Sequence, residues 1–188
     1  MPKIVFLDLE TTGFSREWNQ IIEVAAILYQ EETGEELGRF HEYIRPMKGI
    51  PAKITEITGI TNEKVKYCRD EMSVLMDFYE WLFLEKPEKV CGHNYKSFDK
   101  SFLVAKANKY GISYPEDMEE IDTLHIARKL SKEGKLSVPN HQQPTLANFF
   151  GITYQAHSAI EDVRALIRIY EKLGLNKSKK QKRSELGF

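Results

Sequence analysis

Apolar residues fill the first stretch of the chain, Ile4-Val5-Phe6-Leu7, which then takes in two acids, Asp8 and Glu10, before Thr11-Thr12-Gly13. A continuous apolar run of this kind predicts a strand buried on both faces. Strand side chains alternate, so Asp8 and Glu10 share one face about 7 Å apart, and Leu7 and Leu9 share the other. Residues 20–29 form a second apolar run, and residues 37–45 a third in which polar and apolar positions alternate. Between these two lies Glu31-Glu32-Thr33-Gly34-Glu35, with the residues of a turn, so they pair as a hairpin. Three consecutive strands then make an antiparallel meander, which Pro46 ends.

The period changes beyond that point. Residues 50–65 read as short helical pieces broken by Pro51 and Gly59. Met72, Leu75, Met76, Tyr79 and Leu82 or Phe83 recur at helical spacing, predicting a helix over 71–84 that Pro87 stops. Val90-Cys91-Gly92 is a short buried strand, and 97–110 a helix closed by Gly111. Residues 121–124 form another short strand turning into a helix that ends near Leu130. A loop with Gly134, Pro139 and Pro144 leads to a helix around 145–150. In the last helix Ser158 and Glu161 form a capping box, and Ile160, Val163, Ile167, Tyr170 and Leu173 make one stripe before Gly174. A meander followed by alternating strands and helices predicts an α/β sandwich around a mixed sheet.

Composition adds bounds. The 188 residues suit one domain, and 41% hydrophobic with 29% charged residues is an ordinary soluble balance. The net charge of -1 argues against a protein that coats nucleic acid through a broad basic surface. No run is long enough to span a membrane, and no signal-peptide pattern opens the chain, so a cytoplasmic protein is expected. Cys68 and Cys91 cannot form a disulfide framework, and Cys91 reads as a small buried thiol. Residues 1–175 are taken as the domain. Residues 176–188, with Lys177, Lys179, Lys180, Lys182 and Arg183 and no apolar period, are expected to be a disordered basic tail.

Candidate chemistry begins with Asp8 and Glu10. Two like charges in a poorly solvated place call for protonation or a bound cation, unless the strand simply runs out into water with its last acids hydrated. Two further segments combine a histidine with an acid near a helix start: His93-Asn94-Tyr95-Lys96-Ser97-Phe98-Asp99 and His157-Ser158-Ala159-Ile160-Glu161-Asp162. The cap puts His157 on the loop before the last helix and Asp162 in its first turn, so both can face one cavity. Asp99 sits in its helix's first turn, where the dipole favours ionised carboxylate.

With these residues in order, the chain resembles the DEDDh exonucleases, the DnaQ-like group. The family's motifs are Asp-x-Glu-x-Thr-Gly, a His-Asn segment ending in Phe-Asp, and His-x-Ala-x-x-Asp. The likeness runs from the first strand to about Leu173. The stretches Ile54-Thr55-Glu56-Ile57-Thr58-Gly59-Ile60-Thr61 and Asp122-Thr123-Leu124-His125-Ile126-Ala127-Arg128 match as well. The spacing from Asn94 to Asp99 is one residue longer than in bacterial proofreading subunits and looks more like that of three-prime repair exonucleases.

The resemblance implies a ribonuclease H-like fold with a five-stranded mixed sheet flanked by helices. It implies that Asp8, Glu10, Asp99 and Asp162 hold two divalent ions, Mg²⁺ or Mn²⁺, with His157 as general base. It also implies a 3′ to 5′ exonuclease acting on single-stranded or frayed 3′ ends, DNA before RNA, for proofreading or repair, with a DNA polymerase as a candidate partner. Thr11, Thr12 and Gly13 would offer backbone groups to the terminal nucleotide, and Phe14 would stack on its base or simply pack. His93 and Asn94 would brace the site. Trimming of RNA ends, and a silent module that binds 3′ ends or a polymerase, are the rival readings. Asp122 is expected to cap a helix. His41, His125 and His141 read as ordinary strand, helix and loop residues.

Overall fold

A computed structural model of the chain describes residues 2–154 and 158–175; His157 and the expected tail over 176–188 lie outside them. Three strands, β1 (Lys3–Thr11), β2 (Ile21–Gln30) and β3 (Glu35–Tyr43), form the antiparallel meander. Two short strands, β4 (Lys89–Gly92) and β5 (Glu119–Asp122), add in parallel on the other side of β1. The sheet runs β3-β2-β1-β4-β5, so β1 is central, as its apolar run requires.

The helices follow in chain order: α1 (Ala52–Thr58), α2 (Asn62–Val65), α3 (Glu71–Glu85), α4 (Asp99–Tyr110), α5 (Thr123–Lys132), α6 (Gln143–Phe149) and α7 (Ala159–Lys172). One face of β1, with Val5, Leu7 and Leu9, packs against α3 and α4 through Phe78, Tyr79, Phe102 and Leu103. The other face, with Ile4 and Phe6, packs against α7 through Val163, Leu166 and Tyr170. Asp8 and Glu10 continue that second face by strand alternation, so the acids point toward the side of the sheet covered by α7. Among the described residues no helix is long and apolar enough to cross a membrane.

Two expectations need correction. In α3 the buried positions are Val74, Leu75, Phe78, Tyr79 and Leu82, whereas Met72, Met76 and Phe83 are 44–53% exposed. The helix is apolar nearly all round, and the sheet selects the stripe that sets Phe78 against Phe40, 5.2 Å between ring centroids. The capping box on α7 is also absent: Ser158 stands at the N-cap without a side-chain cap bond. Glu161 accepts instead from the Arg164 guanidinium at 2.5 Å, a charge-assisted bond that outcompetes a backbone amide. Asp122 does cap α5, accepting from Leu124 N at 3.1 Å and His125 N at 3.4 Å.

Candidate active site

The site forms where β1 stops being apolar. Asp8 lies opposite Ala25, whose small side chain leaves room, and Glu10 lies opposite Glu23. The register shifts between Glu10 and Thr11, a bulge of the kind that re-aims side chains at the end of a strand. From the far end of the sequence, the first turn of α7 delivers Asp162. Asp8, Glu10 and Asp162 are each half-buried and offer carboxylate oxygens that all lie within 4.8 Å of one another.

Asp99, the first residue of α4, lines the same cavity of about 210 Å³ together with His93, Asn94, Phe98 and Gln143. It is almost fully buried, and its Oδ1 accepts from Leu9 N at 3.2 Å, which ties the helix start to the strand. Asp99 does not join the close trio of oxygens. Asp162 is held by Gln143, whose Nε2 donates to its backbone oxygen at 3.0 Å and to Oδ1 at 3.2 Å.

The electrostatics follow from crowding acids where water is scarce. Burial, and then the charges of Asp99, Glu10, Asp162 and Glu23, push the Asp8 carboxyl well above the ordinary range. Burial, Glu23, Asp162 and Asp99 push Glu10 up to about 8. Burial raises Asp99 to about 7, although its own amide and that of Leu9 pull the other way. Such a cluster holds either protons or cations at neutral pH.

The turn after β1 is built for close approach. A Cβ on Gly13 would lie 2.7 Å from Asn19 Oδ1, so only glycine fits. The Thr11 hydroxyl donates to Gly13 O at 2.6 Å, and the Thr12 hydroxyl accepts from Gln20 N at 3.0 Å. The Thr12 amide is committed to Gln20 O at 2.8 Å. Phe14 is 84% exposed and meets Phe98 edge-to-face at 6.3 Å, so it is not a core residue. Phe98 lines the acid cavity, and Phe14 extends outward from it.

His93 and Asn94 brace this corner. His93 Nδ1 contacts the Thr123 hydroxyl at 2.9 Å. Burial lowers the ring's pKa to about 4 despite the nearby Asp122 carboxylate, so at neutral pH it is uncharged. Asn94 adopts a left-handed backbone with φ 67°, and its amide, with that of Lys96, donates to Asp122. One carboxylate thus fixes both the turn before α4 and the start of α5. His157, the expected base, falls outside the described residues.

Sequence reasoning passed over Glu23, His41 and Gln143. Glu23 is 1% exposed and bound by His41 Nε2 at 2.7 Å, so His41 is more than an ordinary strand residue. The signal was present: Glu23 is the single charge interrupting the apolar run of β2. Gln143 carried no such mark, because nothing in its own segment anticipates contact with α7.

Comparison with known proteins adds the family context. A family model described as Exonuclease (RNase_T) matches residues 5–170. The DNA polymerase III PolC-type of Bacillus subtilis is 35% identical over 162 residues, which cover 86% of this chain and 11% of that protein. The chloroplastic/mitochondrial exonuclease DPD1 of Arabidopsis thaliana is 30% identical over 184 residues, 92% of this chain and 56% of DPD1. The chain therefore spans about a tenth of the PolC-type relative and about half of DPD1. In fold it is similar to E. coli Exonuclease I in complex with a dT13 oligonucleotide. The TM-score is 0.81 at 20% identity, over 99% of this chain and 43% of the other. The nuclease domain of 3'hExo, a DEDDh family member bound to rAMP, superposes with TM-score 0.73 at 20% identity, over 93% of this chain and 92% of the domain.

Proposed function

The chain belongs to the exonuclease family, and from that premise we propose that it removes nucleoside 5′-monophosphates from single-stranded or frayed DNA 3′ ends, working 3′ to 5′ with two divalent cations. The observation that carries this reading is the meeting of Asp8 and Glu10 with Asp162 inside 4.8 Å. Acids so placed are costly to ionise together, and a cation relieves that cost. The donor set fits: the close trio among the described residues is all hard carboxylate oxygen, which suits Mg²⁺ or Mn²⁺. Asp8, Glu10 and Asp162, joined by Asp99 on the same cavity, would hold the ions. Bound there, the cations supply charge compensation to the oxygens of the phosphodiester undergoing displacement.

The chain's own residues do the rest. Phe14 and Phe98 stack on the terminal base, and the turn at Gly13 lets the backbone approach the sugar. Gln143 orients Asp162, and the Glu23–His41 pair backs Glu10. His157 takes the general-base role that the family resemblance implies, a task suited to an imidazole with an ordinary pKa near 6.5. Residues 1–175 form the nuclease domain in this reading. The sequence match to a segment of PolC-type polymerases supports a cytoplasmic role in proofreading or repair, beside a DNA polymerase. It also favours DNA over RNA, since the likeness to the rAMP-bound domain is one of fold alone.

The test is digestion of matched 3′-labelled single-stranded and duplex DNA and RNA, with Mg²⁺ or with EDTA. Labelled mononucleotide should appear first from single-stranded DNA and only with the cation. Faster release from RNA would make the protein an exoribonuclease. Retention of all four substrates intact would leave a silent 3′-end-binding module.

A further inference from the structure

We infer that the cavity adjoining the acid cluster, with Arg128 on its wall, is a subsite for a backbone phosphodiester of the strand lying 5′ to the nucleotide held by the acids. The cavity, about 470 Å³, shares His93, Asn94 and Gln143 with the acid site, so the two adjoin. Among the described residues no carboxylate lines it. Its remaining polar groups are Arg128, His141 and the side-chain amides of Asn140 and Gln142.

Arg128 closes the stretch that opens with Asp122 and Thr123, and these three have separate duties. Asp122 caps α5, Thr123 holds His93, and Arg128 stands exposed on the same helix. Among the described residues it makes no ion pair. This separates it from the larger groove over α4, lined by Arg16, Lys96 and Lys100, where each cation already has an acid. Lys96 and Lys100 are paired with Glu120, and Arg16 with Glu17. A guanidinium without a counterion among the described residues, set among amide donors and beside a site that handles a phosphodiester, matches the charge of the neighbouring phosphate. A 3′-terminal nucleotide at the acids has further phosphates on its 5′ side only, which sets the direction of the strand. The aromatic pair of Phe14 and Phe98, on the α4 side, receives the base instead.

The nature of this ligand rests on the exonuclease reading, and the test separates the two. Fluorescence anisotropy of a 5′-fluorescein dT12 oligonucleotide is measured in EDTA, so that no hydrolysis intrudes, from 50 to 200 mM salt. Arg128→Ala should weaken binding about tenfold at the lowest salt and reduce the log–log salt slope by about 0.7, one single-strand phosphate contact. Arg128→Lys should keep the slope. The control is Lys129→Ala, a neighbouring exposed cation that does not line the cavity and sits 4.0 Å from Glu133. It should change affinity less than twofold. Equal effects of the Arg128 and Lys129 truncations, or a wild-type protein with no salt-dependent binding, would overturn the subsite. If the wild type hydrolyses no substrate yet binds through Arg128, the enzymatic reading fails and the subsite stands.

Discussion

Two regions of this molecule bury charge, and they do it in opposite ways. At the acid cluster, four carboxylates face one cavity, and the surroundings push Asp8, Glu10 and Asp99 upward in pKa. Across the sheet, Glu71 and Lys106 are almost fully buried and fully engaged. Glu71 accepts from Ile21 N at 2.7 Å, Tyr110 OH at 2.6 Å and Gln20 Nε2 at 3.3 Å. Lys106 Nζ donates to Arg16 O at 3.0 Å and Asn19 O at 2.5 Å, with Glu71 Oε1 4.0 Å away. That pair anchors the turn over residues 12–20 to α3 and α4, and with it Phe14. A buried charge whose partners lie within the chain is scaffold; crowded acids of one sign that must take up protons or a cation mark a site.

The comparison breaks most sharply at Asp8. Asp8→Asn removes one charge from the crowded cavity and should cut mononucleotide release by about a thousandfold or more, as loss of an electrostatic element of a reaction centre does. In EDTA the same variant should melt higher than wild type, since an amide spares the fold the cost of a buried, crowded carboxyl. Parallel melting and hydrolysis assays check both. A variant that loses activity and stability together would mean that Asp8 is a folding element.

Lys106→Met makes the opposite prediction. Removing one partner from a satisfied buried pair costs about 3 kcal/mol, or about 6–12 °C in Tm for a chain of this size. KM for an oligonucleotide should rise as the turn carrying Phe14 loosens, with a smaller change in kcat. Thermal melts in EDTA and in Mg²⁺ should show the same deficit, because this network does not touch the acids.

Much of this was legible in the sequence, for identifiable reasons. β1, the meander and the acids of three segments stand out because each interrupts a pattern: Asp8 and Glu10 an apolar run, Asp99 and Asp162 the start of a helix. The face of α3 was not legible, because an all-round apolar helix satisfies two stripes and only packing against Phe40 chooses between them. Lys106 was hidden for a related reason. A lysine in a helix reads as solvated until the turn that supplies its carbonyl partners is folded over it. Gln143, the His41–Glu23 pair and Arg128 depend on contacts between segments far apart in the chain. No local period encodes them.

The gentlest perturbation is the most general, because it needs no substitution. A carboxyl whose pKa is higher folded than unfolded stabilises the fold at low pH, and that contribution is lost as pH rises through the folded value. Glu10, raised from 4.5 to about 8, and Asp99, raised from 3.8 to about 7, therefore place the loss between about pH 4 and pH 8. In EDTA the melting temperature should fall across that window. With Mg²⁺ or Mn²⁺ present, the fall should shrink or reverse, since the cation displaces the protons and its apparent affinity grows with pH. The Lys106–Glu71 network predicts no such cation dependence, so Lys106→Met should shift the whole curve down without changing its slope. A wild-type curve that stays flat in EDTA would mean the acids keep enough water to ionise unaided, and the contrast between the two regions would collapse.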